Sequence, residues 1–132
     1  MSFDLVFFGG TGDLTWRKLM PALFQAWRHG KLPAQGRILA VARDERTDAG
    51  YRQWLQDKLA TVDDRAKRPT EDEFERFATQ VHYLRMDLSQ PDDYQLLRQW
   101  LGGRCADTVV MYPATSPHLF PVICEQLGAA GL

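Results

Sequence analysis

The stretch that decides the fold is DLVFFGGTGDLTWRKLMPALF, from Asp4 to Phe24. It opens as an apolar run, breaks on Gly9, Gly10 and Gly12, and then changes period. Phe3 to Phe8 reads as a short strand of the kind buried on both faces of a parallel sheet. From Asp13 to His29 the apolar residues Leu14, Leu19, Leu23, Ala26 and Trp27 fall near helical spacing, and Gly30 stands just past the end as a C-cap. Pro21 lies inside this pattern, so it either kinks the helix or divides it into a short first turn and a longer second piece.

Working outward, GRILAVAR (Gly36 to Arg43) reads as a second strand, and Thr47 as the N-cap of a helix from Asp48 to Leu59. RPTEDEFERFATQ (Arg68 to Gln80) carries Thr70 and Glu73 at capping-box spacing. Val81 to Leu88 is a third strand; Ser89 and Pro91 mark the start of a helix running to about Leu101. Asp107 to Ala114 is a fourth strand, and Ser116 to Leu132 a closing helix. The polar loop from Thr61 to Pro69 is the expected mobile stretch. Strands alternating with helices imply an α/β fold: a Rossmann-like, doubly wound parallel sheet, here incomplete with about four strands.

The chain has 132 residues, 45% hydrophobic and 25% charged, enough for one ordinary globular domain. A net charge of −1 argues against a general nucleic-acid binder but leaves room for a small anionic ligand in a local basic pocket. No apolar run approaches the length of a membrane span, and Leu5 to Phe8 is too short for a signal peptide. Cys105 and Cys124 lack CxxC spacing, so they read as reduced, buried thiols of a cytoplasmic protein, and no metal site is expected.

In an open α/β sheet, ligands sit at the carboxyl ends of the strands, and the first strand-to-helix turn is the usual place. Gly9 and Gly10 are expected to take backbone angles closed to other residues and to leave room for a ligand against the main chain, and Gly12 to let the turn pass close to it. The helix behind offers unbonded N–H groups to a pyrophosphate. Against the dinucleotide fingerprint G-x-G-x-x-G/A, the segment Gly10-Thr11-Gly12-Asp13-Leu14-Thr15 fits two of the three positions, with Thr15 in place of the last small residue. Arg43 ends the second strand, where an acidic residue selects NAD and a basic one accommodates the 2′-phosphate of NADP. Asp44 beside it either weakens phosphate binding or orients Arg43, which leaves NAD open as a coenzyme.

VFFGGTGDLTWRKLMPALFQAWRHGKLP resembles the opening of the glucose-6-phosphate dehydrogenase family: a strand, then G-A/G-S/T-G-D-L-A-x-R/K-K, an apolar residue, Pro, a helix and a G-x-L-P turn. Gly9, Gly10, Thr11, Gly12, Asp13, Leu14, Lys18, Pro21, Gly30, Leu32 and Pro33 match. ILAVARDERT is similar to the family's second strand, whose Arg at the position of Arg43 contacts the 2′-phosphate. VVMYPATSPHLF is similar to its fourth strand and turn, with Ala114, Thr115 and Pro117 matching and Pro113 where Leu is usual. The resemblance covers nearly the whole chain. It implies hydride transfer from C1 of glucose 6-phosphate to NADP, the entry to the oxidative pentose phosphate pathway. It assigns coenzyme binding to Gly9, Gly10, Thr11, Gly12, Asp13, Leu14, Arg43, Ala114, Thr115 and Pro117. Lys18 takes a catalytic role between coenzyme and sugar phosphate; spacing alone leaves it neutral.

The resemblance also implies what residues 1–132 lack. The family continues into a fifth strand with E-K-P-F-G, a His–Asp general-base pair, and a β+α domain for substrate and dimerisation. His29, His82 and His118 do not stand in the base motif. The chain is therefore expected to be an N-terminal dinucleotide-binding fragment with the C-terminal domain absent. Such a fragment binds coenzyme, is inactive on the sugar alone, and is marginally stable or self-associating because an apolar sheet edge is left bare. The complete enzyme is expected to be a homo-oligomer that acts on glucose 6-phosphate and meets neither nucleic acid nor membrane. Two other readings stay open. An extended short-chain reductase would carry Tyr-x-x-x-Lys after the fourth strand, whereas Tyr112 is followed at the Lys position by Ser116. A non-catalytic NADP-binding sensor or interaction module would share the fold.

Overall fold

A computed structural model describes residues 2–33, 35–102, 108–115 and 119–131. The strands β1 (Phe3–Phe8), β2 (Gly36–Ala42), β3 (Val81–Arg85) and β4 (Thr108–Pro113) form one sheet in the order β3-β2-β1-β4, with every pairing parallel. The winding therefore reverses between β1 and β4, and a cleft opens there at the carboxyl ends of the strands.

Both faces of the sheet are covered. Phe7, Ile38, Ala40 and Val81 pack against α1 (Met20–Arg28), α2 (Asp48–Leu59) and α3 (Glu71–Ala78). Val6, Phe8, Leu39 and Val41 face the opposite way, toward α4 (Asp93–Gly102) and α5 (Phe120–Ala129). That is why β1 and β2 carry no polar alternation along most of their length. At the edge, β4 leaves Val109, Val110 and Tyr112 more than a third exposed. Cys124 is exposed as well, because α5 turns Ile123 inward, so the expectation of a buried thiol is corrected there; Cys105 lies outside the described residues.

Local signals set the helix ends. Thr47 accepts the N–H of Gly50 and starts α2 at Asp48. Thr70 and Glu73 exchange both bonds of the capping box. Gly30, at φ 72°, ends α1, with Lys31 N–H reaching Ala26 O at 2.8 Å. Pro21 divides the first helix as anticipated. Its ring offers no N–H and crowds the carbonyl four residues back, and the chain before it widens into a π turn at Thr15–Leu19, closed by Met20 N–H on Thr15 O.

The polar loop from Thr61 to Pro69 is tied down rather than loose. Arg28 donates to Ala66 O (2.7 Å) and Arg68 O (2.6 Å) and pairs with both carboxylate oxygens of Glu73. Gln25 donates to Lys67 O at 2.7 Å.

One polar pair crosses the sheet. Asp4 and Arg37 are register partners on β1 and β2, bonded in bidentate fashion at 2.8 and 2.7 Å, with Asp4 fully buried. The guanidinium lies 3.8 Å over the ring of Trp100 on α4. Removing one partner of such a pair strands a buried charge, so Arg37→Ala is expected to lower the unfolding free energy by about 3 kcal/mol. Urea denaturation measures this, and a loss under about 1 kcal/mol would mean that water reaches Asp4 in the folded protein.

Candidate functional site

The turn after β1 is fastened to both neighbouring strands. The N–H groups of Gly9 and Gly10 both donate to Val41 O on β2 at 2.8 Å, and Ala114 N–H, just beyond β4, donates to Phe8 O at 2.8 Å. Gly9 has φ 94°, and a Cβ there would lie 2.8 Å from Ala114 O and from Thr115 Cγ2. Only glycine satisfies both conditions. Gly10 needs to be glycine for a different reason from the one expected. Its φ is not left-handed, and a Cβ would sit 2.5 Å from Ala40 Cβ, so its requirement is close packing on β2 rather than access for a ligand. Thr15, at the third fingerprint position, is buried with its hydroxyl donating to Gly9 O at 2.9 Å. The residue that departs from the fingerprint thus serves as a brace on the turn.

The strand ends enclose a cleft of about 590 Å³. Gly9, Thr11 and Gly12 line one wall, Arg43 and Asp44 another, and Ala114 and Thr115 a third. Six of the sequence-selected residues thus converge. Among the described residues, no main-chain acceptor takes the N–H groups of Thr11, Asp13 or Leu14. Gly10, Asp13 and Leu14 do not line the cleft: Asp13 accepts the Trp16 indole N–H at 3.2 Å, and Leu14 is exposed. Pro117 and His118 lie outside the described residues.

Lys18 is placed elsewhere. It lines a second hollow, of about 700 Å³, between the π turn and the 61–67 segment, with Trp16, Asp63, Asp64 and Lys67. Arg17 is exposed, 4.9 Å over the Trp16 ring. His29 caps the end of α1, and His82 lies 3.4 Å from Asp48.

Sequence reasoning missed the wall from the segment after β3, where Asp87, Leu88 and Ser89 line the cleft. The signal was available, since this segment too follows the carboxyl end of a strand, but Ser89 had read only as a helix start. Ser89 instead donates its hydroxyl (2.7 Å) and its N–H (3.0 Å) to Asp87 Oδ1. These two bonds hold the Asp87 carboxyl below its ordinary value, with the guanidiniums of Arg43 and Arg85 acting in the same direction. The Asp44 carboxylate is turned to Arg46, at 3.6 Å, and not to Arg43.

The family model described as "Glucose-6-phosphate dehydrogenase, NAD binding domain" matches residues 6–132. A glucose-6-phosphate 1-dehydrogenase of Mycolicibacterium smegmatis is 41% identical over 98% of this chain and 27% of its own length. The corresponding protein of Gluconobacter oxydans is 35% identical over 95% of this chain and 26% of its own. The crystal structure of glucose-6-phosphate 1-dehydrogenase from Mycobacterium avium superposes with a TM-score of 0.85 at 28% identity, over 98% of this chain and 27% of that one. The chain spans about a quarter of the length of the relatives it matches.

The two glycines differ in what their replacement would do. Gly9→Ala is expected to strain both the backbone and the contact with Ala114, lowering stability by about 1–3 kcal/mol and distorting the cleft wall. Gly10→Ala is expected to lower stability by pushing β1 from β2. Thermal unfolding gives the losses, and amide NMR shifts at Ala114 and Ala40 separate the two sites of strain. Asp87 supplies a pH prediction. Its folded value is depressed, so its contribution to stability is present above the ordinary aspartate range near pH 4 and fades as pH falls through the lower folded value. In a carboxyl NMR titration, Ser89→Ala should move the Asp87 midpoint upward; an unmoved midpoint would overturn the assigned cause.

Proposed function

The chain belongs to the glucose-6-phosphate dehydrogenase family, and we propose that it is the coenzyme-binding part of a glucose-6-phosphate 1-dehydrogenase that takes NADP in the cleft at the strand ends. When bound, that coenzyme accepts hydride from C1 of glucose 6-phosphate, giving 6-phosphogluconolactone. The observation that carries the proposal is that Arg43 and the glycine turn line one cleft.

The residues fit such a ligand. A Cβ at Gly9 would fill the approach to Ala114, and one at Gly12 would come 3.2 Å from Gly9 O, so the glycines keep this wall open to a pyrophosphate. The unengaged N–H groups of Thr11, Asp13 and Leu14 supply donors at the start of the helix, which gives Asp13 and Leu14 a main-chain role. Arg43 takes the 2′-phosphate, and Ala114 and Thr115, with Pro117, border the far side. Lys18 contacts the sugar phosphate from the neighbouring hollow in the complete enzyme.

On this reading the sugar site and the general base belong to a β+α domain beyond residues 1–132, as the family's pattern implies. The exposed Val109, Val110 and Tyr112 on β4 support a further parallel strand pairing there. The complete enzyme works in the cytoplasm as a homo-oligomer, with glucose 6-phosphate as its small-molecule partner.

The test is a thermal-shift titration with NADP⁺ and NAD⁺ in parallel. A ligand held only by the folded state adds about 2.7 kcal/mol of stability at 100 times its dissociation constant. NADP⁺ is expected to raise the melting temperature more than NAD⁺ does, and Arg43→Ala to abolish the difference. The 132-residue protein is expected to show no turnover of glucose 6-phosphate. Absence of any coenzyme shift, or turnover by the chain alone, would overturn the proposal.

A further inference from the structure

Three of the segments that border the cleft are each tied by a phenol from outside it. Tyr51, on α2, donates to Gly10 O at 2.7 Å, in the turn after β1. Tyr83, on β3, donates to Asp44 O, in the segment after β2. Tyr94, on α4, donates to Leu88 O at 2.9 Å, in the segment after β3. The first two are physically coupled: the rings of Tyr51 and Tyr83 stack at 5.1 Å and 23°, and Trp54 continues the row at 5.4 Å from Tyr51. Neither ring lines the cleft.

The geometry points to Tyr51 and Tyr83 as paired positioning residues, Tyr51 fixing the turn that meets the pyrophosphate and Tyr83 fixing the Arg43–Asp44 segment that discriminates NADP from NAD. This rests on the proposed use of the cleft. The two tyrosines act on different parts of one ligand. The pyrophosphate is common to both coenzymes, so the Gly10 tie bears on both. The 2′-phosphate belongs to NADP alone, so the Asp44 tie bears on discrimination. Asp44 follows Arg43 directly, and its carbonyl sets the direction in which the chain carries that guanidinium. Rigidity here matters because ordering a loop on binding costs affinity, and a backbone already fixed by the Tyr83 bond avoids that cost. Burial pushes both phenols above their ordinary value, for Tyr83 with help from Asp44, so both remain protonated donors through the neutral range.

Calorimetric titration of NADP⁺ and NAD⁺ into the wild-type protein and into Tyr51→Phe, Tyr83→Phe and Tyr94→Phe tests this. Each variant keeps its ring and loses one hydroxyl. Tyr83→Phe is expected to weaken NADP⁺ by roughly two- to tenfold and leave NAD⁺ unchanged, so the ratio of the two dissociation constants falls. Tyr51→Phe is expected to weaken both coenzymes by a similar factor, with the ratio kept. Tyr94→Phe is the control for loss of one buried bond and should leave the ratio as in the wild type. An unmoved ratio in Tyr83→Phe, or an equal change in Tyr94→Phe, would overturn the inference while leaving the coenzyme site standing. A Phe variant unfolded without ligand would also overturn it, since that phenol would then hold the fold rather than the loop. Wild-type protein that binds neither coenzyme would overturn the reading of the cleft, and the inference with it.

Discussion

The arrangement at the mouth of the cleft depends on how closely the chain between Phe8 and Gly12 passes the strands on either side. One carbonyl, Val41 O, receives two successive N–H groups from the turn, and the turn's other flank abuts Ala114 and Thr115. This close approach is possible only without side chains at Gly9 and Gly10, for different reasons at each. Once it is made, the first helix must leave the sheet at this point. The loops after β2 and β4 are then brought to face the turn. A wider turn would separate Arg43 from Gly12 and leave two unrelated surfaces.

The sheet can support this because β1 and β2 are buried from both sides and the buried carboxylate of Asp4 is answered. Asp4 lies on β1 at the end opposite the cleft, and its pairing with Arg37 and the Trp100 ring locks the β1–β2 register where the strands begin. Parallel pairing carries that register to Phe8 and Val41, where it decides which carbonyl the glycines meet. A slip of one residue would turn Val41 O away and exchange the two faces of the sheet. The polar pair at one end and the glycine turn at the other therefore constrain each other through six residues of strand.

Much of this was legible in the sequence because the signals are local. Thr47, Thr70 with Glu73, and Gly30 fix helix ends through bonds to residues within four or five positions, and the apolar runs fix the strands. The parallel sheet followed from the alternation of strands and helices rather than from any single residue, whereas the strand order β3-β2-β1-β4 is given by the structure alone. What escaped the reading depends on distant parts of the chain. Arg28, near the end of α1, carries no sequence signal for its role, yet it pins a loop 40 positions away. Gly10 was grouped with Gly9, since no sequence pattern distinguishes a left-handed glycine from one pressed on Ala40. Lys18 could be selected only by resemblance. In the structure it lies in the π turn before Pro21 and lines the hollow beside the 61–67 segment. The Asp87 wall was missed because Ser89, a common capping residue, drew the eye to the next helix.

The charges of the cleft decide what it can hold. Asp44 and Asp87 border the same space as Arg43, and two carboxylates beside one guanidinium would ordinarily neutralise it and repel a phosphate. Asp44 is turned away from Arg43, whereas Asp87 stays an anion of the cleft on which the Arg43 charge acts. Asp44 faces Arg46, and Asp87 spends one oxygen on both donors of Ser89. Among the described residues, no carboxylate stands within ion-pair distance of Arg43. Of the two arrangements the sequence leaves open for Arg43 and Asp44, the structure shows neither a pair nor an orienting contact between their side chains. Asp44 contributes its carbonyl to Tyr83 and its charge to Arg46, and the guanidinium beside it keeps its donors for a ligand. On the proposed use of the cleft, a 2′-phosphate would gain a charge-assisted bond to the guanidinium that a bare hydroxyl would not, and this is the physical ground for proposing NADP there.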